Sequence, residues 1–169
     1  MNWYQSELIQ HGSKILTIAR HAFGSTELSV KVSGIPWWYK HPSHAAEVTA
    51  GYYNTNGNNG YADISDMLQS HNASFCFTCL EMKNSEQPAE CDSGPFELVR
   101  QTKDAADSRG INYTGENALP RYDQTAYDTI VQQSGYGVGP IHVFTYLRLN
   151  SQLLSGYNWD LFKNFVSRM

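Results

Sequence analysis

Ile111-Asn112-Tyr113-Thr114 is a short β-rich run, and Gly115-Glu116-Asn117-Ala118-Leu119-Pro120-Arg121-Tyr122-Asp123 follows it without a gap. A helix-like run, Asp123 to Gln133, comes next. Gly115 lets the backbone bend sharply after the strand. Pro120 prevents the strand from continuing, and Asp123 is placed to cap the helix that follows. The segment therefore reads as one strand-loop-helix unit. A carboxylate just past a strand, flanked by a glycine and an amide, sits where α/β folds gather their chemistry. Local chemistry alone also allows a well-capped loop with an incidental glutamate.

Outward from this unit the same alternation repeats. Leu28 to Ser33, Ser74 to Thr78 and His142 to Leu147 are β-rich and bounded by turn signals. Trp3 to Phe23 predicts a helix, with Tyr4, Leu8, Ile15, Ala19 and Ala22 on the inward face and Gly12 interrupting it. Ser43 is placed to cap a short helix over His44 to Ala50. Asn54 to Gly60 is turn-forming, and Ala62 to Ser70 is helical, with Ile64, Met67 and Leu68 inward. Lys83 to Gly94 reads as a polar loop. Pro95 opens a helix that runs to about Ser108 and is closed by Gly110. Tyr157 to Met169 is the last helix, with Leu161, Phe162, Phe165 and Val166 inward. One helix followed by four β-loop-α units predicts a parallel sheet with right-handed crossovers. A closed (β/α)8 barrel needs eight such units and about 250 residues, so four are half of one. No internal repeat, linker or compositional shift divides the chain, which reads as one domain, residues 1–169.

Composition narrows the function. Of 169 residues, 41% are hydrophobic and 17% charged, which predicts a globular chain rather than a disordered one. Four Trp and eleven Tyr suit a stacking surface for sugars or bases, and equally a large core. A net charge of −4 argues against nucleic-acid and anionic-membrane partners. No apolar run approaches the roughly 18 residues of a membrane span. The first residues, Met1-Asn2-Trp3-Tyr4-Gln5, already read as amphipathic helix, so no signal peptide is expected. Three cysteines are not a disulfide framework, and an intracellular, reducing compartment is preferred. Cys76-Phe77-Thr78-Cys79 lies at a strand end without a partner pair and is expected to be neither redox-active nor a zinc site. The six histidines lack ligand-like spacing, so no metal is expected. Gly135-Tyr136-Gly137-Val138-Gly139 lacks the spacing of a dinucleotide loop.

In a parallel sheet the carboxyl ends of the strands share one face. Lys31, Thr78, Glu116 with Asn117, and Arg148 lie at those four ends. Each has a bland reading alone: a snorkelling lysine, a β-forming threonine, an arginine paired with an acid. Together they predict a cleft.

Five blocks then carry a resemblance. Gly115 to Asp123 resembles the second catalytic-carboxylate loop of plant-type β-amylases, inverting glycoside hydrolases that cut maltose from starch chain ends. Lys31-Val32-Ser33-Gly34-Ile35-Pro36-Trp37-Trp38-Tyr39-Lys40 resembles the first substrate loop, continued by Ser43 to Glu47 and Thr49 to Asn54. Phe77-Thr78-Cys79-Leu80-Glu81-Met82 resembles the inner loop that touches the glucan, and Phe144 to Leu149 the last strand. The blocks stand in register from about Trp3 to Met169. The resemblance implies a (β/α)8 TIM barrel, of which this chain supplies the last four βα units, and the α/β class. It implies exo-hydrolysis of α-1,4-glucan with inversion, without a cofactor. Glu116 matches the general base, and Lys31, Thr78, Asn117, Ala118 and Arg148 match glucan-contacting positions. Two departures stand out. Pro36 occupies a position that is usually histidine in the family. The second carboxylate, the general acid, belongs to the first half of the barrel, and none of Glu47, Glu81 and Glu86 lies in a block like the acid's loop. The chain is then either a partial sequence or a truncated gene product, and a partial sequence is expected. The alternative is a non-catalytic glucan-binding or regulatory relative.

Overall fold

The four β-rich runs form β1 (Leu28–Lys31), β2 (Ala73–Phe77), β3 (Tyr113–Glu116) and β4 (Val143–Thr145), all parallel, in the spatial order β1-β2-β3-β4. This computed structural model describes residues 2–169. The register sets Val30 beside Phe75, Phe77 beside Gly115, and Glu116 beside Thr145. Helices α1 (Asn2–Phe23), α2 (Ala45–Ala50), α3 (Gly60–Ser70), α4 (Pro95–Asp107), α5 (Gln124–Ser134) and α6 (Gly156–Arg168) fill the connections. Sequential parallel neighbours joined through helices are the βα pattern of a barrel wall.

The core lies between the two central strands and the helices that cover them. Phe75, Phe77, Tyr61, Leu68, Tyr127 and Ile130 are at most 1% exposed. Phe75 stacks on Tyr113 at 5.6 Å, and Tyr127 on Phe165 at 4.7 Å. Burying each such side chain contributes about 1.5–3 kcal/mol. Asp123 caps α5 as its position in the sequence predicts, accepting the Ala126 N–H at 3.0 Å.

The structure corrects several boundaries. β3 runs two residues later than the β-rich run suggested, so Glu116 is the last strand residue rather than a loop residue. Gly115 is not a bend: its backbone is extended, and it is small because the Leu80 side chain occupies the space of a Cβ. β1 ends at Lys31, with one further ladder bond from Val32 N–H to the Cys76 carbonyl. Ser43 does not cap α2. His44 takes that position in the left-handed region, and Ser43 Oγ pairs with His41 Nδ1 at 2.8 Å instead. α3 starts two residues early because Asn59 caps it, accepting from Tyr61 and Ala62 N–H. On α1 the expected inward residues Tyr4, Leu8 and Ile15 are 41–51% exposed, while Leu16 is buried. The side of α1 that faces α3 is covered, and Gly12 permits that approach, since a Cβ there would lie 2.9 Å from Met67 Sδ. Val166, expected inward on α6, is likewise 54% exposed.

Candidate active site

Three strand ends carry predicted residues, Lys31 closing β1, Thr78 following β2 and Glu116 closing β3 just ahead of Asn117, whereas β4 ends at Thr145 and Arg148 lies in the chain beyond it. Glu116, 6% exposed, ends β3, and Lys31, which ends β1, reaches across to it. Lys31 Nζ forms an ion pair with Glu116 Oε1, the lysine side chain being 58% exposed and the glutamate side chain 8%. Glu116 Oε1 is itself buried, and among the described residues it makes no hydrogen bond, so its polar neighbour is the Lys31 ammonium. Thr78 directly follows β2, the strand between them, and is half-buried. The backbone of the same segment is tied to Glu116, whose carbonyl accepts the Leu80 N–H at 3.3 Å.

Asn117, expected to orient the base or the glucan, is 1% exposed and fully used by backbone. Its Oδ1 accepts the Leu147 N–H at 2.7 Å, and its Nδ2 donates to the carbonyls of Leu147 and Leu119 at 3.2 and 3.1 Å. It therefore joins the end of β3 to the chain leaving β4. Arg148 is exposed and donates from Nη2 to the Ala118 carbonyl at 3.2 Å. It sits at φ 70, a conformation rare for a non-glycine residue.

Glu81, weighed from the sequence only as a candidate acid, is instead an anchor of the loop beyond the candidate base. It is 1% exposed, and its carboxylate accepts the Ala118 N–H at 2.9 and 3.1 Å and the Leu119 N–H at 2.6 Å. The loop beyond the candidate base is thus pinned by a buried anion on the neighbouring loop, through charge-assisted bonds. Burial raises the Glu81 pKa above the ordinary glutamate value, and the Leu119 and Ala118 amides oppose that rise. Cys79, at φ 67, turns the chain towards Glu81. Burial, helped by the Glu81 charge, pushes the Cys79 thiol up to about 11. The signal available in the sequence was a carboxylate a few residues past a neighbouring strand, which local pattern does not separate from a solvated one.

The other carboxylates weighed as a second catalytic group are engaged elsewhere. Glu47 is fully buried among His44, Asn54 and Tyr61, and Glu86 pairs with Arg121 at 2.5 Å. Arg121 also holds the cap Asp123 through two bonds of 2.9 Å. The mostly apolar groove of about 480 Å3 beside β1 is lined by Leu8, Ile9, Val30, Ile64 and Met67 and reaches the end of that strand at Lys31.

The parallel βα sheet agrees with the comparisons. The model of glycosyl hydrolase family 14 matches residues 1–169. The chain belongs to that family. It is 47% identical over 179 aligned residues to a β-amylase of Zea mays, covering all of this chain and 37% of that protein. It is 48% identical to a β-amylase of Glycine max, covering 36% of it, and 47% identical to the chloroplastic β-amylase 2 of Oryza sativa subsp. japonica, covering 31%. The catalytic domain of β-amylase from Paenibacillus polymyxa superposes with a TM-score of 0.82 at 30% identity, over 97% of this chain and 39% of that one. The four βα units are accordingly part of a (β/α)8 barrel, and the chain spans just over a third of the length of the Zea mays and Glycine max relatives. Among the described residues no helix is long and apolar enough to cross a membrane.

Proposed function

We propose that residues 1–169 are the C-terminal half of a β-amylase catalytic barrel and carry its general base, Glu116. The substrate is an α-1,4-glucan such as starch or a maltooligosaccharide, cut from the non-reducing end to release maltose with inversion. The observation that carries this reading is Glu116 itself: a buried carboxylate on the end of a central strand, ion-paired with a lysine whose side chain stays mostly in solvent. A base that activates water needs a fixed position, and Glu81 and Asn117 hold the adjoining backbone. Lys31, Thr78, Ala118 and Arg148 are assigned to the glucan, and Asn117, whose amide is used by backbone, to the base's loop. An inverting hydrolase also needs an acid roughly 6.5–9.5 Å from the base, with space for the attacking water. Glu47, Glu81 and Glu86 are each already bonded, so the acid is assigned to the remaining barrel strands.

The second reading is a non-catalytic glucan-binding or regulatory relative. The engagement of all three carboxylates favours it, as does Pro36, which has no ring donor for a sugar hydroxyl. The experiment is maltose release from soluble starch by the purified chain and by a barrel completed with the remaining strands of a relative. The expected outcome is none from the chain alone, since a general acid contributes about 10²–10⁴-fold, and activity from the completed barrel. Maltose released by the chain alone above a Glu116→Ala control would overturn the division of the two carboxylates between halves. An inactive completed barrel that still binds maltooligosaccharide would establish the second reading.

A further inference from the structure

Residues 32–54, between β1 and α3, contain no regular structure except the short α2. Connections of this length are uncommon unless they are functional. Few apolar side chains hold the segment down: Val32, Pro36 and Tyr53 are buried, while Trp37 and Trp38 are each 46% exposed. Its first part is laddered onto the segment after β2, with Trp38 N–H to the Cys91 carbonyl at 2.8 Å, Lys40 N–H to Asp92 at 3.0 Å, and Gly94 N–H to Pro36 at 2.9 Å. Trp38 holds φ 61, which for a bulky residue is a genuine outlier and persists only where the surroundings over-determine it.

The second part closes on one carboxylate. Glu47 is 0% exposed. Its oxygens meet His44 Nδ1 at 2.6 Å, the Asn54 amide at 3.1 Å and the Tyr61 hydroxyl at 3.2 Å. The His44 ring then packs edge-on against Tyr39, whose hydroxyl donates to Gln101 Oε1 at 3.0 Å. Tyr61, from α3, stacks on Tyr52, and the Tyr52 hydroxyl pairs with Ser33 Oγ at 2.7 Å, two residues past Lys31. Tyr61 also meets the edge of Phe77, the residue before Thr78. One buried carboxyl group thus connects both ends of the segment to Ser33, just past β1, and to Phe77, the last residue of β2 and the one before Thr78. A buried polar network with every member satisfied rigidifies what it joins.

We propose that Glu47 is a positioning residue of the glucan site: through His44, Asn54 and Tyr61 it holds residues 32–54 in the shape that seats Lys31 and presents Trp37 and Trp38. This rests on the reading of the strand-end face as a glucan site. Glu47 touches no reacting atom, and its effect passes through the segment it fixes.

Two measurements test it on Glu47→Gln, Glu47→Asp and Tyr61→Phe. The first is amide hydrogen exchange of the chain. Glu47→Gln is expected to speed exchange within residues 32–54 by about tenfold or more, the scale of one lost charged hydrogen bond, and to leave β2 and β3 unchanged. Tyr61→Phe keeps the stacking, loses one donor and is expected to show the same pattern more weakly, which serves if Glu47→Gln does not fold. The second is starch hydrolysis in the completed barrel. KM is expected to rise about tenfold with kcat within about twofold, and Glu47→Asp, which keeps the charge, to recover part of the loss. Unchanged exchange in residues 32–54 would overturn the proposal, as would a loosened segment with unchanged KM. A completed barrel with Glu47 intact that neither cleaves nor binds glucan would refute the glucan reading and this proposal with it, whereas intact cleavage with an unperturbed loop refutes this proposal alone.

Discussion

Strands β2 and β3 bury Phe75, Phe77, Tyr113 and Glu116 almost completely, whereas the outer strands β1 and β4 leave Ser29, Lys31 and Val143 exposed. All four have similar β-rich sequences, so the difference comes from position. A central strand has hydrogen-bonded neighbours on both sides and helices packed over it, while an edge strand has one side open. The same contrast divides the site. The candidate base sits on a central strand, with its backbone pinned by Glu81 and Asn117. The cation that faces it rises from an edge strand and stays mostly in solvent. A fixed anion is thereby matched with an adjustable cation, an arrangement suited to a base that must keep its position while a lysine yields to substrate.

The largest expected effect is at the central carboxylate. In the completed barrel, Glu116→Gln keeps the shape and removes the basic oxygen, so turnover is expected to fall about 10²–10⁴-fold while maltooligosaccharide binding survives. Azide is expected to restore part of the turnover as a glycosyl azide of inverted, β configuration, because a small anion replaces water at a base-only site. A stable glycosyl adduct on Glu116 in mass spectrometry would rule the role out.

The second effect tests the contrast between strands directly. Phe75→Ala removes a fully buried ring and is expected to cost about 3–5 kcal/mol by urea unfolding of the chain. Val143→Ala on β4, where half the side chain is exposed, is expected to cost under about 0.5 kcal/mol in the chain alone. In the completed barrel the Val143→Ala cost is expected to rise, because the open edge gains a neighbour. Equal costs in both settings would show that the β4 edge is not a wall of the barrel.

A smaller effect concerns pH. Glu81 has its folded pKa raised, so folding favours its protonated form. Its contribution to stability is present in full below the ordinary glutamate pKa and is lost as pH rises through the folded value. Glu47, also raised by burial, acts in the same direction. Unfolding midpoints measured upward from the ordinary glutamate range are expected to carry a falling component in the wild type that Glu81→Gln, which cannot titrate, reduces. A wild type and variant with parallel pH profiles would show that the amides of Ala118 and Leu119 fully offset the burial. The smallest effect is chemical: Cys79 alkylation by iodoacetamide, followed by mass spectrometry, is expected to keep accelerating until the pH approaches about 11.

Sequence by itself determined the alternation of strands and helices, their order, the proline at the start of α4, the Asp123 cap and the block around Glu116. These are local: helix caps, turn chemistry and hydrophobic period are each written within a few residues. The placement of Lys31, Thr78, Glu116 and Asn117 at strand ends was legible too, since parallel topology puts those ends on one side, whereas Arg148 lies beyond the end of β4. Only the tertiary structure decided the register of β3, which moved Glu116 from the loop onto the strand. That register is fixed by Phe77 and Phe144 on the strands at either side and by Leu80 filling the space above Gly115, none of which is near in sequence. It also decided that Asn117 serves backbone, that Glu81 and Glu47 are buried anchors, and that the apolar face of α1 lies open. A glutamate becomes an anchor or a solvated charge according to which donors arrive from distant parts of the chain, and a hydrophobic face is buried only where the fold supplies a surface to meet it.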